Sequence, residues 1–217
     1  MDLDIKQGIV KTGTTILGLK CKDGAVIASD RRATVDGRLI VQKDFKKIIR
    51  INSYMIMAVA GTASDAVLLS RVIAAELKLK ELKTKARPTV KESAQLIAIS
   101  LYRNIRSPSM IPYVVATICG GVNEDGSVEI YAISPAGDIR EINDYDASGS
   151  GMMFAVGLLE RQYSKDMTIK QAEHLAQECI KSSTQRDAAS GNGIDVYVLS
   201  KEGIEQTISE EILAEYR

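Results

Sequence analysis

The sequence has little of several residue types, and each scarcity excludes a class of protein. Its 217 residues include no tryptophan, two phenylalanines and one histidine, which excludes a metal site built from several histidines. Lysine plus arginine and aspartate plus glutamate both number 28, so no basic field favours nucleic acid or an acidic membrane surface. No apolar run approaches the roughly 18 residues of a membrane span. Residues 1–13 also lack the basic and apolar regions of a secretory signal.

Cysteine usage indicates a reducing compartment. Cys21, Cys119 and Cys179 are odd in number and widely spaced, which is typical of reduced thiols. Each lies in an apolar strand or an amphipathic helix and is expected to be a small core residue. We therefore expect a cytoplasmic protein. The absence of repeats, linkers and low-complexity stretches predicts a single domain.

The order of strand-like and helix-like segments predicts the fold class. Short strand patterns precede two helical patterns, further strands precede two more helices, and a strand at Ile194–Leu199 precedes a short C-terminal helix. Paired helices do not build right-handed βαβ units, so the order of elements argues against a parallel doubly wound sheet. We predict an α+β fold of four layers, αββα, with two antiparallel sheets between two pairs of helices.

The first two predicted helices have distinct apolar stripes. The first begins after Ser64, and its stripe comprises Val67, Leu68, Val72, Ala75 and Leu79. The second begins near Thr89, and its stripe comprises Ala94, Ile97, Leu101 and Ile105.

Common catalytic motifs are missing. There is no phosphate-binding loop of the Gly-x-x-x-x-Gly-Lys-Ser/Thr type. Any device that needs an imidazole would have to use His174, which lies in the middle of a helical pattern and is expected to be a structural or surface residue.

Five separated motifs carry the informative signal. They are Gly13-Thr14-Thr15-Ile16 after a short polar leader, Ser29-Asp30-Arg31-Arg32-Ala33-Thr34, Ala60-Gly61-x-x-x-Asp65, Ser148-Gly149-Ser150-Gly151 with Gly157-Leu158-Leu159-Glu160, and Gln185-Arg186-Asp187-x-x-Ser190-Gly191. Together, and in this order, they resemble the proteasome β-subunits of archaeal type, which are N-terminal-nucleophile hydrolases. The resemblance extends from Thr14 to about Ser200.

The resemblance implies a reaction and a set of residues. Residues 1–13 would be a propeptide removed by autocatalytic cleavage between Gly13 and Thr14, and residues 14–217 would form the single catalytic domain. Thr14 would then be the nucleophile of a threonine endopeptidase. A threonine hydroxyl needs a base within reach, and the α-amine of an N-terminal threonine has an unperturbed pKa of about 7.7–8.0. No cofactor and no metal would be needed.

The remaining site residues follow from the same resemblance. Asp30 and a lysine would lie beneath the nucleophile, and the Gly61 backbone would stabilise the oxyanion. Ser150, Asp187 and Ser190 would support Thr14. A lysine ammonium beside Thr14 would lower the pKa of the Thr14 hydroxyl and of the Thr14 amine. A buried ion pair adds little stability, so this effect on pKa is a functional reason to keep one here.

Two adjacent lysines compete for the catalytic position. Lys46 lies at the spacing of the family from Thr14, whereas Lys47 directly precedes the aliphatic residue Ile48, as the lysine of the family does. Ala60-Gly61 also lies one residue further from Thr14 than the corresponding motif of the family, which indicates a one-residue insertion between Thr34 and Lys47. We therefore assign the role to Lys47 and keep Lys46 as the alternative.

The resemblance also implies a specificity pocket. Its residues would be Ala33, Phe45, Ile49, Val59 and Ala63. This set is apolar and has no acidic or basic floor, so we expect cleavage after hydrophobic residues.

Partners and rival functions complete the expectations. In this family, β-subunits assemble into heptameric rings, and two such rings are stacked between rings of α-subunits. A regulatory ATPase acts through the α-ring. The substrates are unfolded polypeptides. One alternative is an unprocessed, catalytically inactive structural subunit of the ring. Another is the bacterial-type ATP-dependent threonine protease, which is shorter and lacks the Asp187-x-x-Ser190 element.

Overall fold

The computed structural model describes residues 11–35, 37–110 and 113–212. Residues 1–10 of the predicted propeptide lie outside this range. The strands are β1 Lys11–Thr12, β2 Ile16–Cys21, β3 Gly24–Asp30, β4 Ala33–Val35, β5 Leu39–Gln42, β6 Ile48–Arg50, β7 Met55–Thr62, β8 Val115–Val122, β9 Val128–Ile133, β10 Ile139–Glu141, β11 Tyr145–Ser148, β12 Gly193–Ser200 and β13 Gly203–Glu211. The helices are α1 Ala63–Thr84, α2 Val90–Arg106, α3 Met152–Gln162 and α4 Ile169–Arg186.

Two antiparallel sheets stack face to face. The first has the order β1-β7-β8-β9-β10, and β6 pairs with the same edge of β7 as β1. The second has the order β11-β2-β3-β12-β13, and β4 and β5 form a separate hairpin. Helices α1 and α2 pack on the first sheet, and α3 and α4 pack on the second. This arrangement confirms the predicted α+β fold with four αββα layers.

Each interface between layers has its own apolar core. Residues such as Met57 and Val59 on β7 pack against α1 and α2. A second cluster fills the space between the other sheet and α3 and α4. Between the sheets lies a third cluster, which includes Ile16 of β2 and Ala60 of β7. The start of β2 and the end of β7 are thereby held together, and this is where the site forms.

The predicted face of α1 is wrong, whereas that of α2 is confirmed. Helix α1 follows Thr62 rather than Ser64, and it buries the stripe Ala66, Leu69, Ser70, Ile73 and Leu77. Leu68, Val72 and Leu79 of the predicted stripe are instead exposed. The helix is apolar on two sides, so periodicity could not identify the buried one. Helix α2 buries Ala94, Ile97 and Leu101 as predicted and begins with a capping box between Thr89 and Glu92.

The C-terminal region also differs from the prediction. Residues 203–211 form the edge strand β13 against β12 instead of a short helix. The polar sequence of β13 conceals its strand character because most of its side chains are exposed. No helix in the described part of the chain is both long enough and apolar enough to cross a lipid bilayer.

Candidate active site

The segment before Thr14 lies as a strand along the end of β7. Lys11 pairs with Thr62 and Thr12 pairs with Gly61, in antiparallel register. The next residue, Gly13, donates its N–H to Thr34 Oγ1 at 3.2 Å. The Gly13–Thr14 peptide bond is therefore positioned between the edge of one sheet and the first residues of the other, with Thr14 fully buried.

Asp30 and Lys47 form a buried ion pair beneath this peptide bond. Lys47 Nζ donates to Asp30 Oδ1 at 2.6 Å, and neither side chain is exposed. The same ammonium donates to the carbonyl oxygen of Gly13 at 2.9 Å. Asp30 Oδ1 also accepts from Thr15 N at 2.8 Å, and Oδ2 accepts from Arg32 N at 3.0 Å and Gly191 N at 2.9 Å. Every carboxylate oxygen is thus satisfied, as a buried charge requires.

The environment changes the proton affinity of Lys47. Burial lowers the pKa of its ammonium below the usual lysine value, and the neighbouring Asp30 carboxylate opposes this shift without cancelling it. Lys46 is placed quite differently. Its side chain is 50% exposed and its Nζ lies 3.4 Å from Asp44 and 3.5 Å from Asp195. Of the two candidate lysines, the structure brings only Lys47 to the Gly13–Thr14 bond.

A network of hydroxyl groups lies on the other side of Thr14. Thr14 N donates to Ser150 Oγ at 3.0 Å, and Ser150 Oγ donates to Asp187 Oδ2 at 2.5 Å. The same carboxylate oxygen accepts from Ser190 Oγ at 2.6 Å. Ser190 Oγ also lies 2.9 Å from Thr15 Oγ1. The structure therefore brings Ser150, Asp187 and Ser190 together around Thr14 and Thr15.

Two glycines at the site leave no room for a side chain. A Cβ on Gly61, which has φ +125°, would overlap the carbonyl oxygen of Val114. This backbone lies in the region that favours glycine. A Cβ on Gly13 would overlap Ala189 Cβ. Each glycine is therefore required by the close approach of a neighbouring segment.

Five contacts at the site were not among the predicted roles. They involve the hydroxyl of Thr34, the hydroxyl of Thr15, the N–H of Arg32, the N–H of Gly191 and the side chain of Ala189. All five residues lie in or directly beside the motifs quoted above. Their roles depend on main-chain direction and on packing across the two sheets, which the motifs alone do not specify.

The predicted specificity residues lie near the site but do not all share one cavity. Phe45 and Ile49 are half-buried and line a crevice of about 340 Å³ between β6 and α1. Ala33 and Val59 are buried, at 2% and 3% exposure, and Ala63 is the first residue of α1. The last three do not line this crevice.

The chemistry available here is that of hydroxyl, carboxylate and ammonium groups. The three cysteines are buried and unpaired. Burial raises the pKa of the Cys119 and Cys179 thiols to about 12, so neither is poised as a thiolate nucleophile. Within the described ranges, no group of three or more histidine, cysteine or acidic residues is arranged to hold a metal ion. The arrangement suits attack of a threonine hydroxyl on the carbonyl that Lys47 contacts.

Comparison with known proteins gives a consistent result. The family described as "Proteasome subunit" matches residues 10–199. The chain is similar to "Proteasome subunit beta" of Archaeoglobus fulgidus, with 39% identity over 98% of both chains. It is 40% identical to "Proteasome subunit beta" of Haloquadratum walsbyi over 96% of this chain and 82% of that protein. "Proteasome subunit beta 2" of Aeropyrum pernix is 37% identical over 93% of this chain and 89% of its own length.

Proposed function

This chain belongs to the proteasome subunit family, and we propose that it is a catalytic β-subunit with threonine endopeptidase activity. The observation that carries the proposal is the contact between Lys47 Nζ and the carbonyl oxygen of Gly13, 2.9 Å long, directly before Thr14. In this proposal residues 1–13 are the propeptide and residues 14–217 are the single catalytic domain.

The first step is self-cleavage. Thr14 Oγ1 attacks the carbonyl carbon of Gly13 and passes its proton to the neutral amine form of Lys47. The lowered pKa of Lys47 increases the population of that form. The C–N bond breaks as the Thr14 nitrogen takes up a proton, which leaves an ester between Gly13 and Thr14. Water then hydrolyses the ester, releasing the leader as a carboxylate and Thr14 with a free α-amine.

Substrate cleavage repeats this chemistry on another chain. The α-amine of Thr14 now serves as the base, with Ser150 Oγ as its neighbour. The carbonyl carbon of the substrate forms an ester with Thr14, and the part after the cut leaves as an amine. Hydrolysis of the ester restores the hydroxyl. The Gly61 N–H is assigned to the developing oxyanion, where a preorganised donor contributes about 3–4 kcal/mol.

Assembly and location are part of the proposal. We assign the chain to heptameric β-rings that associate with α-subunit rings in the cytoplasm and degrade unfolded polypeptides, with a regulatory ATPase acting through the α-ring. Leu68, Val72, Leu79 and Leu82 form an exposed apolar face on α1, which supports a partner surface. The apolar walls of the crevice at Phe45 and Ile49 support cleavage after hydrophobic residues.

Intact mass tests this function directly. The full chain is co-expressed with the α-subunits of its source, and the purified complex is weighed by mass spectrometry. We expect loss of Met1–Gly13 from the wild-type chain, together with hydrolysis of a peptide that ends in leucine and carries a fluorescent amine. Thr14→Ala should keep all 217 residues and show no hydrolysis, because the hydroxyl is gone.

Thr14→Ser is the matched control. It keeps the hydroxyl, so we expect it to lose the leader as well, at a reduced rate. If the wild-type chain keeps its leader in the assembled complex, the unprocessed structural subunit is the better description. If Thr14→Ala is processed like the wild type, the proposed nucleophile is wrong.

A further inference from the structure

We propose that Arg31 is a positioning residue for the reaction at Thr14, because it fixes the chain segment that presents Lys47 to the scissile carbonyl. This inference rests on the proposed function and deepens it, since it gives a role to an ion pair outside the proposed catalytic set. The ion pair joins Arg31, which directly follows Asp30 in the chain, to Asp195 on β12.

The segment that carries Lys47 depends on Arg31 for part of its main-chain support. Residues 43–47 connect β5 to β6 along an irregular path. Phe45 N, two residues before Lys47, donates to the carbonyl oxygen of Arg31 at 2.9 Å. Arg31 N donates to the carbonyl oxygen of Gly191 at 3.1 Å, and the N–H of the same glycine binds the carboxylate that pairs with Lys47. The main chain of Arg31 therefore links the lysine segment to the support of its ionic partner.

The side chain of Arg31 holds the same segment from a second direction. Its Nη1 lies 3.4 Å from Oδ1 of Asp44, which is three residues before Lys47. Its Nε and Nη2 donate to the two carboxylate oxygens of Asp195 at 3.1 and 2.7 Å. Nη2 also donates to Ser209 Oγ on β13 at 2.6 Å. The planar guanidinium thereby ties the lysine segment to two strands of the neighbouring sheet through directional, charge-assisted contacts.

The ion pair is buried, and the backbone beside it leaves space for the arginine. Arg31 is 7% exposed and Asp195 is 1% exposed. A Cβ on Gly193 would overlap Cδ of Arg31, so this glycine keeps open the path of the side chain. Asp195 also accepts from Gln206 Nε2 at 2.8 Å, and Lys46 Nζ lies 3.5 Å from it. A buried ion pair adds little stability relative to apolar side chains, and the need for a defined position is a physical reason to keep one here.

Displacement of this segment would change the contacts of Lys47. Its Nζ lies 2.9 Å from the carbonyl oxygen of Gly13 and 2.6 Å from Asp30 Oδ1. A misplacement of about 1 Å that originates away from the reacting atoms can slow a reaction about 100-fold. Because self-cleavage is intramolecular, its rate reports the alignment of Lys47 and does not depend on substrate binding. We therefore expect the loss of Arg31 to slow self-cleavage.

The test separates an effect on position from an effect on stability. Full-length chains are mixed with α-subunits, and intact mass follows the loss of Met1–Gly13 from the start of assembly. We expect Arg31→Met to slow self-cleavage about 10- to 100-fold. It should also lower the midpoint of chemical denaturation, because Asp195 stays buried without its main partner. Arg31→Met combined with Asp195→Leu replaces both charges with apolar side chains, so the midpoint should recover while self-cleavage stays slow.

Two further variants serve as controls. Arg31→Lys keeps the charge but not the planar fork, so it should recover part of the rate lost in Arg31→Met. Leu101→Ala creates a cavity in the fully buried layer under α2, away from the site, so it should lower the midpoint and keep the wild-type rate of self-cleavage.

Three results would overturn the inference. They are a wild-type rate in Arg31→Met, recovery of both midpoint and rate in the double variant, and a loss of rate in Leu101→Ala equal to that in Arg31→Met. If Arg31→Met does not fold, the double variant and Arg31→Lys decide the question. If the wild type keeps its leader in the assembled complex, the proposed function fails and this inference fails with it.

Discussion

The two sides of Thr14 are held by different chemistry. On one side, Asp30 and Lys47 form a fully buried ion pair in which every carboxylate oxygen has donors. On the other side, the half-buried Asp187 accepts from two serine hydroxyls, and it forms no ion pair with any side chain in the described part of the chain. A buried ion pair alters proton affinities, whereas neutral hydroxyls mainly fix positions. The Lys47 side is therefore expected to control chemistry, and the Asp187 side to control alignment.

The largest effect is expected from Lys47→Arg. Arginine keeps the positive charge but does not release its proton, and its guanidinium does not fit the space of a fully buried lysine. We expect self-cleavage to slow by at least about 10³-fold, since general acid–base catalysis contributes that order of magnitude. The measurement is the fraction of processed chain over time, by intact mass.

Lys46→Arg is the control for this prediction. The new side chain remains able to pair with Asp44 and Asp195 and lies away from the scissile carbonyl. We expect processing at the wild-type rate. If Lys46→Arg stops processing and Lys47→Arg does not, the roles of the two lysines are exchanged.

Asp187→Asn should have an intermediate effect. The amide offers a single oxygen as acceptor, so it cannot replace a carboxylate that binds Ser150, Ser190 and the Ala189 N–H. We expect kcat for a leucine reporter to fall about 10- to 100-fold through loss of alignment, comparable to the effect of removing an orienting outer partner. A loss as complete as that of Lys47→Arg would contradict the division between the two sides.

The smallest effect is expected from Ser190→Ala. It leaves Asp187 bound to Ser150 but removes the partner of Thr15 Oγ1, which is buried. The free energy of unfolding should fall by about 1–3 kcal/mol, the cost of an unsatisfied buried group. Chemical denaturation measures this change, and kcat should decrease less than in Asp187→Asn. A larger decrease in kcat than in Asp187→Asn would assign Ser190 a direct part in the reaction.

Much of the fold could be predicted because sequence order limits the topology. Paired helices between groups of strands argue against a parallel sheet, and the capping box at Thr89 and Glu92 marks the start of α2. The buried face of α1 could not be predicted, because the stripe that contains Leu69 and the stripe that contains Leu68 are equally apolar. Which stripe is buried depends on the sheet it meets. Strand β13 was missed because its exposed, polar side chains have no strand-like alternation.

The site, like the fold, could be predicted only in part from the sequence. Motifs in family order identify Thr14, Asp30 and Asp187 as candidates, and the insertion before Lys47 favours Lys47 over Lys46. The burial and the partners of the two lysines, however, are seen only in the folded chain. One is buried against Asp30, and the other reaches Asp44.

The contact between Gly13 and Ala189 has a consequence for product inhibition. The leader lies against Ala189 so closely that any side chain at position 13 would overlap it. A released peptide that ends in a residue other than glycine therefore cannot return to the position of the leader. In the proposed mechanism, the pose that the leader uses once for self-cleavage is closed to nearly all later products, so the processed site is not blocked by its own products in that pose.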